Sequence, residues 1–279
     1  METIYSLLDL LPFEWLEFNF MKNAFLAVLL VTPLFGLLST MVVSSRMAFF
    51  SDSLGHGAFT GIAIGSLVGL FSPRVSLIIF SVLFAFFITY VKSKSSSSTD
   101  TVIGVFSSIA IALGLTIMSL GGSFNKFSSF LIGDLLSITP EDLLALLVAL
   151  IAVFVFWGVI FNRLLLLSIN PSFAKSRGIN VLCTEVIFAA LIAVVVSISI
   201  EWVGILLINS LLVLPAAAAR NVTGSVKAYH LVSVAIAFVS GVVGLIFAYY
   251  AGVAAGSAIV LAAAVLFFLT LSLKPFFIR

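Results

Sequence analysis

The sequence predicts an all-α polytopic membrane protein. Three observations carry that expectation. Of 279 residues, 62% are hydrophobic and 9% are charged, against about 25% charged in an ordinary soluble domain. The mean hydropathy is +1.34, which is more apolar surface than one water-exposed domain hides. The apolar residues run in stretches suited to helices crossing about 30 Å of hydrocarbon, not in the alternation of about ten residues per strand that marks a membrane barrel. The same composition excludes intrinsic disorder.

Along the chain, residues 1–20 carry Glu2, Asp9, Glu14 and Glu17 but no Lys or Arg. They lack the basic start of a signal peptide, and their acids alternate with Leu, Phe and Trp15, as in a short interfacial helix. Apolar stretches follow at 23–43, 53–71, 75–91, 101–121, 142–161, 182–200, 202–219, 229–250 and 256–273. The expectation is eight to nine spans in one transmembrane domain covering 1–279. The second stretch opens on Asp52, His56 and several glycines, and the two stretches flanking Glu201 are joined by a very tight turn. Glu201 and Trp202 read there as an interfacial turn with an aromatic anchor. Gly204 is expected to let a neighbouring backbone approach, and Pro215 to kink its helix.

Three connections have their own signals. Ser93 to Thr101 reads as a flexible loop. The segment 122–141 ends in Thr139 as an N-cap, Pro140 at the first helical position and acids in the first turn. In 162–181, NRLLLLSINPSFAKSRGINV, Asn170-Pro171 starts a short helix through Ala174 and Lys175, and Gly178 stops it. Such a helix suits a gripping partner; an ordinary basic loop is the plainer alternative.

Placing the N-terminus outside puts ten of the thirteen basic residues on the cytoplasmic side, leaving Lys22, Arg74 and Lys126. Eight acids gather opposite them, including Asp134, Glu141, Asp142 and Glu201. The bias orients the chain N-out and C-in.

Little chemistry is left inside the spans. Cys183 is the single cysteine, which excludes an internal disulfide or a Cys-based cluster, and His56 and His230 are too few for a self-contained zinc site. No basic run points to nucleic acid. Asn209 reads as helix–helix glue before it reads as a pathway residue. Glu185 reads as a first-turn acid at a helix start, His230 as structural and Cys183 as a small packing residue. Asp134 and the Glu141-Asp142 pair either draw cations or a docking protein, or solvate helix ends.

The constellation with chemistry is SDSLGHG at 51–57. Asp52 and His56 are four apart, so a helix puts them on one face. A carboxylate and an imidazole suit Mn²⁺, Zn²⁺ or Fe²⁺. Gly55, Gly57, Gly61 and Gly65 slim one side of that helix for close packing. Two ligands are too few alone, but a two-fold dimer supplies four. The alternative is a capped helix end with His56 at the interface.

SDSLGHGAFTGIAIG resembles the signature after the first span of the zinc/manganese/iron-type ABC importer permeases. In order, TDTVIGVFSSIAIALGLTIMS, FLIGDLLSITPEDL, NPSFAKSRGINV and WVGILLINSLLVLPAAAAR resemble further segments of that family, over about residues 20–273. The resemblance implies a type II ABC importer core in the cell membrane. The permease would be a homodimer or a dimer of close paralogues, sitting on a separate ABC ATPase subunit and fed by an extracytoplasmic metal-binding protein. Asp52 and His56 match the pathway positions, and Ala174, Lys175 and Gly178 the loop that contacts the ATPase. The metal is cargo; no cofactor is expected to stay bound. The chain has no G-x-x-x-x-G-K-[ST] and is therefore expected not to be an enzyme, with ATP used by the partner. The His-rich stretches frequent in zinc-type members are missing, which weakens zinc in particular.

Three other functions compete. An ABC permease for a metal chelate such as a siderophore or corrinoid needs no direct metal ligands, so Asp52 and His56 argue against it. An intramembrane metalloprotease needs His-Glu-x-x-His, and the two histidines stand far apart. An ion-coupled transporter needs several mid-membrane acids.

Overall fold

The computed structural model describes residues 5–6, 8–9, 12–69, 72–121 and 133–277. Every regular element among them is helical. The α-helices are α1 (Asn19–Ser44), α2 (Phe50–Val68), α3 (Pro73–Lys94), α4 (Thr99–Gly121), α5 (Pro140–Ile169) and α6 (Pro171–Ser176). They continue with α7 (Val181–Val203), α8 (Ile205–Leu211), α9 (Leu214–Val222), α10 (Val226–Ala251) and α11 (Ala255–Phe277).

Seven of these, α1, α3, α4, α5, α7, α10 and α11, are long and apolar enough to cross a membrane. Two of the nine expected stretches differ. The second becomes α2, which has 19 residues and carries Asp52 in its first turn. The stretch 202–219 is not one kinked helix. It breaks at Leu212 and Val213, ahead of Pro215, which lies in the first turn of α9. A proline there loses no hydrogen bond, since that N–H has no partner in any helix.

The turn expected at Glu201 also moves. Helix α7 runs through Glu201 and Trp202 to Val203, and the chain turns at Gly204, whose φ is +77°. Trp202 is buried, not an interfacial anchor. The serine loop is shorter than expected, because α3 extends to Lys94 and α4 starts at Thr99. Ser98 caps α4 by accepting from the Thr101 N–H at 3.1 Å. The interfacial helix expected over 1–20 falls partly outside the described residues. Within them, Glu14–Leu16 form one 3₁₀ turn with Trp15 and Leu16 buried, and Lys22 Nζ donates to Asp9.

The chain divides into two compact units. One comprises Met1–Thr40, Ile132–Ala152 and Trp202–Arg279. In it, α1 packs on α10 with backbones nearly touching: a Cβ on Gly36 would lie 2.9 Å from Val234 Cα. Ser233 there donates to the Gly36 carbonyl at 2.7 Å. Helix α11 lies against α10 at Gly244, where a Cβ would meet Ile259 Cα at 2.4 Å. Ala218 and Ala219 of α9 and Ile236 of α10 form a buried cluster covered by Leu266 and Phe267 of α11.

The other unit comprises Met41–Leu131 and Val153–Glu201. Its α2 is held between α3 and α4. On one side a Cβ at Gly61 would lie 2.8 Å from Phe80 Cβ, and one at Gly65 2.3 Å from Ser76 Oγ. On the other, Thr60 Oγ1 donates to the Ala110 carbonyl at 2.5 Å, and Gly114 leaves room for Thr60. Small residues at such contacts replace hydrophobic driving force by close van der Waals approach, which is what packs helices in lipid.

Candidate functional site

Helix α2 places Asp52 and His56 one turn apart on the same face, as the spacing requires. Asp52 Oδ2 and His56 Nε2 stand 3.5 Å apart, with side chains 46% and 31% exposed. That is too long for a strong hydrogen bond, and both groups stay accessible. Among the described residues, three or more His, Cys, Asp or Glu side chains nowhere come together as a metal cluster. The opposite side of the helix is occupied. Gly57, next to His56, faces the Phe84 ring at 3.1 Å from a would-be Cβ. The glycine side thus seats α2 against α3 and fixes which way the Asp/His face turns.

Ser51 and Ser53 flank Asp52. Their hydroxyls are buried and have no hydrogen-bond partner among the described residues. Leaving a hydroxyl so costs about 1–3 kcal/mol. Nothing in the sequence signals this pair, because serine in a helix usually bonds back to its own backbone, as Thr89 does to the Ala85 carbonyl at 2.8 Å.

The loop at 162–181 forms the helix its sequence announces. In α6 the Asn170 Oδ1 accepts from the Ser172 and Phe173 N–H groups at 2.9 and 3.1 Å, with Pro171 behind the cap. The helix ends at Ser176, earlier than a helix running to Gly178. Gly178 lies past the end at φ +76°, a backbone conformation that favours glycine. Ala174 is fully buried, whereas Lys175 and Gly178 are exposed. Sequence reasoning missed Phe173, which is 45% exposed with the Arg177 guanidinium 5.2 Å over its ring.

Several polar residues do other work than expected. Glu185 does not cap α7; Asn180 does, accepting from the Cys183 N–H at 3.1 Å. Glu185 instead accepts from Lys92 Nζ of α3 at 3.0 Å, with side chains 15% and 19% exposed. Glu201 pairs with Arg74 of α3 at 2.7 Å. Cys183 is exposed and not a packing residue. Asp142 and Thr139 form a capping box: the Asp142 carboxylate accepts from the Thr139 N–H at 3.1 Å, and the Asp142 N–H donates to Thr139 Oγ1 at 3.4 Å. Asp134 caps a 3₁₀ turn through the Leu136 N–H at 3.1 Å. His230, by contrast, has the structural role expected of it, its Nδ1 bonding the Val226 carbonyl at 2.7 Å.

The chain is similar to known proteins over nearly its whole length. The manganese import system permease protein ScaB of Streptococcus gordonii is 29% identical over 259 residues, 93% of each chain. The high-affinity zinc uptake system membrane protein ZnuB of Haemophilus influenzae is 28% identical, over 91% of this chain and 97% of that protein. Among solved structures, PsaBC from Streptococcus pneumoniae in complex with Fab aligns with a TM-score of 0.78 at 29% identity, over 91% of both chains. An inward-facing metal-chelate type transporter, at TM-score 0.66 and 19% identity, shares the fold. The family model for the ABC 3 transport family matches residues 17–274, and the chain belongs to that family.

Proposed function

We propose that the chain is the membrane-spanning permease subunit of an ATP-driven importer for a divalent transition-metal ion, Zn²⁺, Mn²⁺ or Fe²⁺, in the cell membrane. The observation that carries the reading is the Asp52/His56 pair. Ligand bonds of about 2.1 Å to two atoms 3.5 Å apart subtend roughly 110° at the metal, near the tetrahedral angle. The separation of the pair therefore suits a metal ion. Two ligands per chain are a low count, and a second copy of the permease meeting this one at α2 raises it to four. Such a shallow site suits passage, because a deep one traps its ion.

The rest of the chain is assigned in keeping. Eight to nine spans, seven of them the long helices and the others α2 and the α8–α9 pair, would form a type II importer core. A separate ABC ATPase uses the ATP, and an extracytoplasmic binding protein delivers the metal. Helix α6 meets the ATPase: Ala174 seats it, Lys175, Phe173 and Arg177 face outward, and Gly178 sets its end. The relatives named for manganese and zinc import support an ion over a whole chelate, which needs no ligand pair.

The test is radiometal flux into vesicles containing the purified complex. His56→Ala and Asp52→Asn should each nearly abolish uptake while the ATPase still assembles, since in a dimer the first removes two of four ligands and the second two negative charges that offset the cation. Wild-type flux in both variants makes the pair a helix cap and sinks the reading.

A further inference from the structure

Helices α3 and α7 are antiparallel neighbours fastened at both ends. Lys92 near the C-terminal end of α3 meets Glu185 near the start of α7 at 3.0 Å, and Arg74 at the start of α3 meets Glu201 near the end of α7 at 2.7 Å. The two bases are eighteen positions apart and the two acids sixteen, which corresponds to about 27 and 24 Å of helix. Those lengths approach the thickness of a bilayer's hydrocarbon core, about 30 Å. Both bases are on α3 and both acids on α7, so the two helices cannot slide by a turn without breaking both pairs.

Each of the two helices has a further attachment. Helix α6 joins α7 through a connection closed by hydrogen bonds, Gly178 N–H to the Lys175 carbonyl at 3.0 Å and Ile179 N–H to the Ala174 carbonyl at 3.1 Å. Glu185 lies just one turn into α7. From α3, Phe80, Phe84 and Ser76 press on the glycine side of α2, at Gly61, Gly57 and Gly65. Contacts therefore run from α6 to the start of α7, across Lys92–Glu185 to α3 and on to the glycine side of α2, behind Asp52 and His56.

We propose that α3 and α7 move as one strut, locked by Lys92–Glu185 and Arg74–Glu201, that carries displacement of α6 to the metal-binding face of α2. Lys92 and Glu185 are positioning residues. Their pair is the less exposed of the two and so the less screened by salt. The inference rests on the proposed metal-ion permease whose α6 meets the ATPase.

The experiment uses the full complex, permease with ATPase and binding protein, in vesicles, with Cys183→Ser as background. Lys92→Gln and Glu185→Gln should each lower the metal ions moved per ATP hydrolysed by about tenfold. The exchanged pair Lys92→Glu with Glu185→Lys should restore the ratio to within about twofold. A merely structural role leaves that ratio unchanged. Separately, Lys92→Cys with Glu185→Cys should show the same lowered ratio, and bridging the two thiols with a short bifunctional thiosulfonate, which forms reducible disulfides, should restore it to within about twofold of wild type, because a strut stays closed through the cycle. An unchanged ratio in the single variants, failure of the exchange, or a block by the bridge that reductant relieves would each overturn the strut. If the single variants do not assemble, the bridge decides. Failure of the wild-type complex to move any metal would instead overturn the permease reading beneath it.

Discussion

Gly133 and Gly204 meet backbone to backbone: a Cβ on Gly133 would lie 2.4 Å from the Gly204 nitrogen, and both residues have positive φ, +70° and +77°. A side chain at Gly133 meets the wall of the α7–α8 turn and a disfavoured backbone at once. Gly133→Ala should destabilise the protein by roughly 2–4 kcal/mol, read as a lowered Tm of the detergent-solubilised chain. An unchanged Tm would show that the two backbones are not in contact.

The seat of His56 is tested by a cycle on its neighbour. Gly57→Ala pushes a methyl toward the Phe84 ring, whose Cδ1 and Cε1 would lie at 3.1 and 3.2 Å. The single change should cost about 1–3 kcal/mol. Replacing the ring by Phe84→Leu should cost less in the Gly57→Ala background than in the wild type, by about 0.5 kcal/mol or more. Additive costs in thermal unfolding would mean that Phe84 does not define this seat.

The cap of α6 has a local readout. Asn170→Ala removes the acceptor for the Ser172 and Phe173 amides. A loss of about 1 kcal/mol speeds their hydrogen exchange about fivefold, with amides in the middle of α5 unaffected. Equal protection in both proteins would assign the stability of α6 to its packing at Ala174.

The exposed Cys183 reports orientation. With the N-terminus outside, the start of α7 faces the cytoplasm. A membrane-impermeant maleimide should therefore label Cys183 in inside-out vesicles and spare it in right-side-out ones. The reverse pattern would invert the topology drawn from the basic residues.

What the sequence made legible is what neighbours in the chain decide. Asn170-Pro171 and Thr139-Pro140 announce their helices because a cap needs only the next three residues. The Asp52/His56 face follows from helical periodicity alone. Partners far apart in the chain left no such mark. Lys92 and Glu185 are separated by 93 residues, and each looked complete by itself, one as a positive-inside residue and the other as a first-turn acid. Trp202 and Cys183 failed for the same reason in opposite directions, since burial depends on which helices pack beside them. The capping serine Ser98 shortened a loop that composition alone reads as flexible.

The double fastening of α3 to α7 also bears on how the chain is made. Synthesis delivers Lys92 well before its partner 93 residues later. In the N-out orientation, charge has by then held the basic end of α3 on the cytoplasmic side. When α7 emerges it carries an acid near each end, and only an antiparallel α7 brings Glu185 to Lys92 and Glu201 to Arg74 together. Because both bases are on α3 and both acids on α7, an acid reaches each base whichever way α7 is threaded, so the two pairs set how far α7 is inserted alongside α3 and leave its direction to the basic residues of the loops.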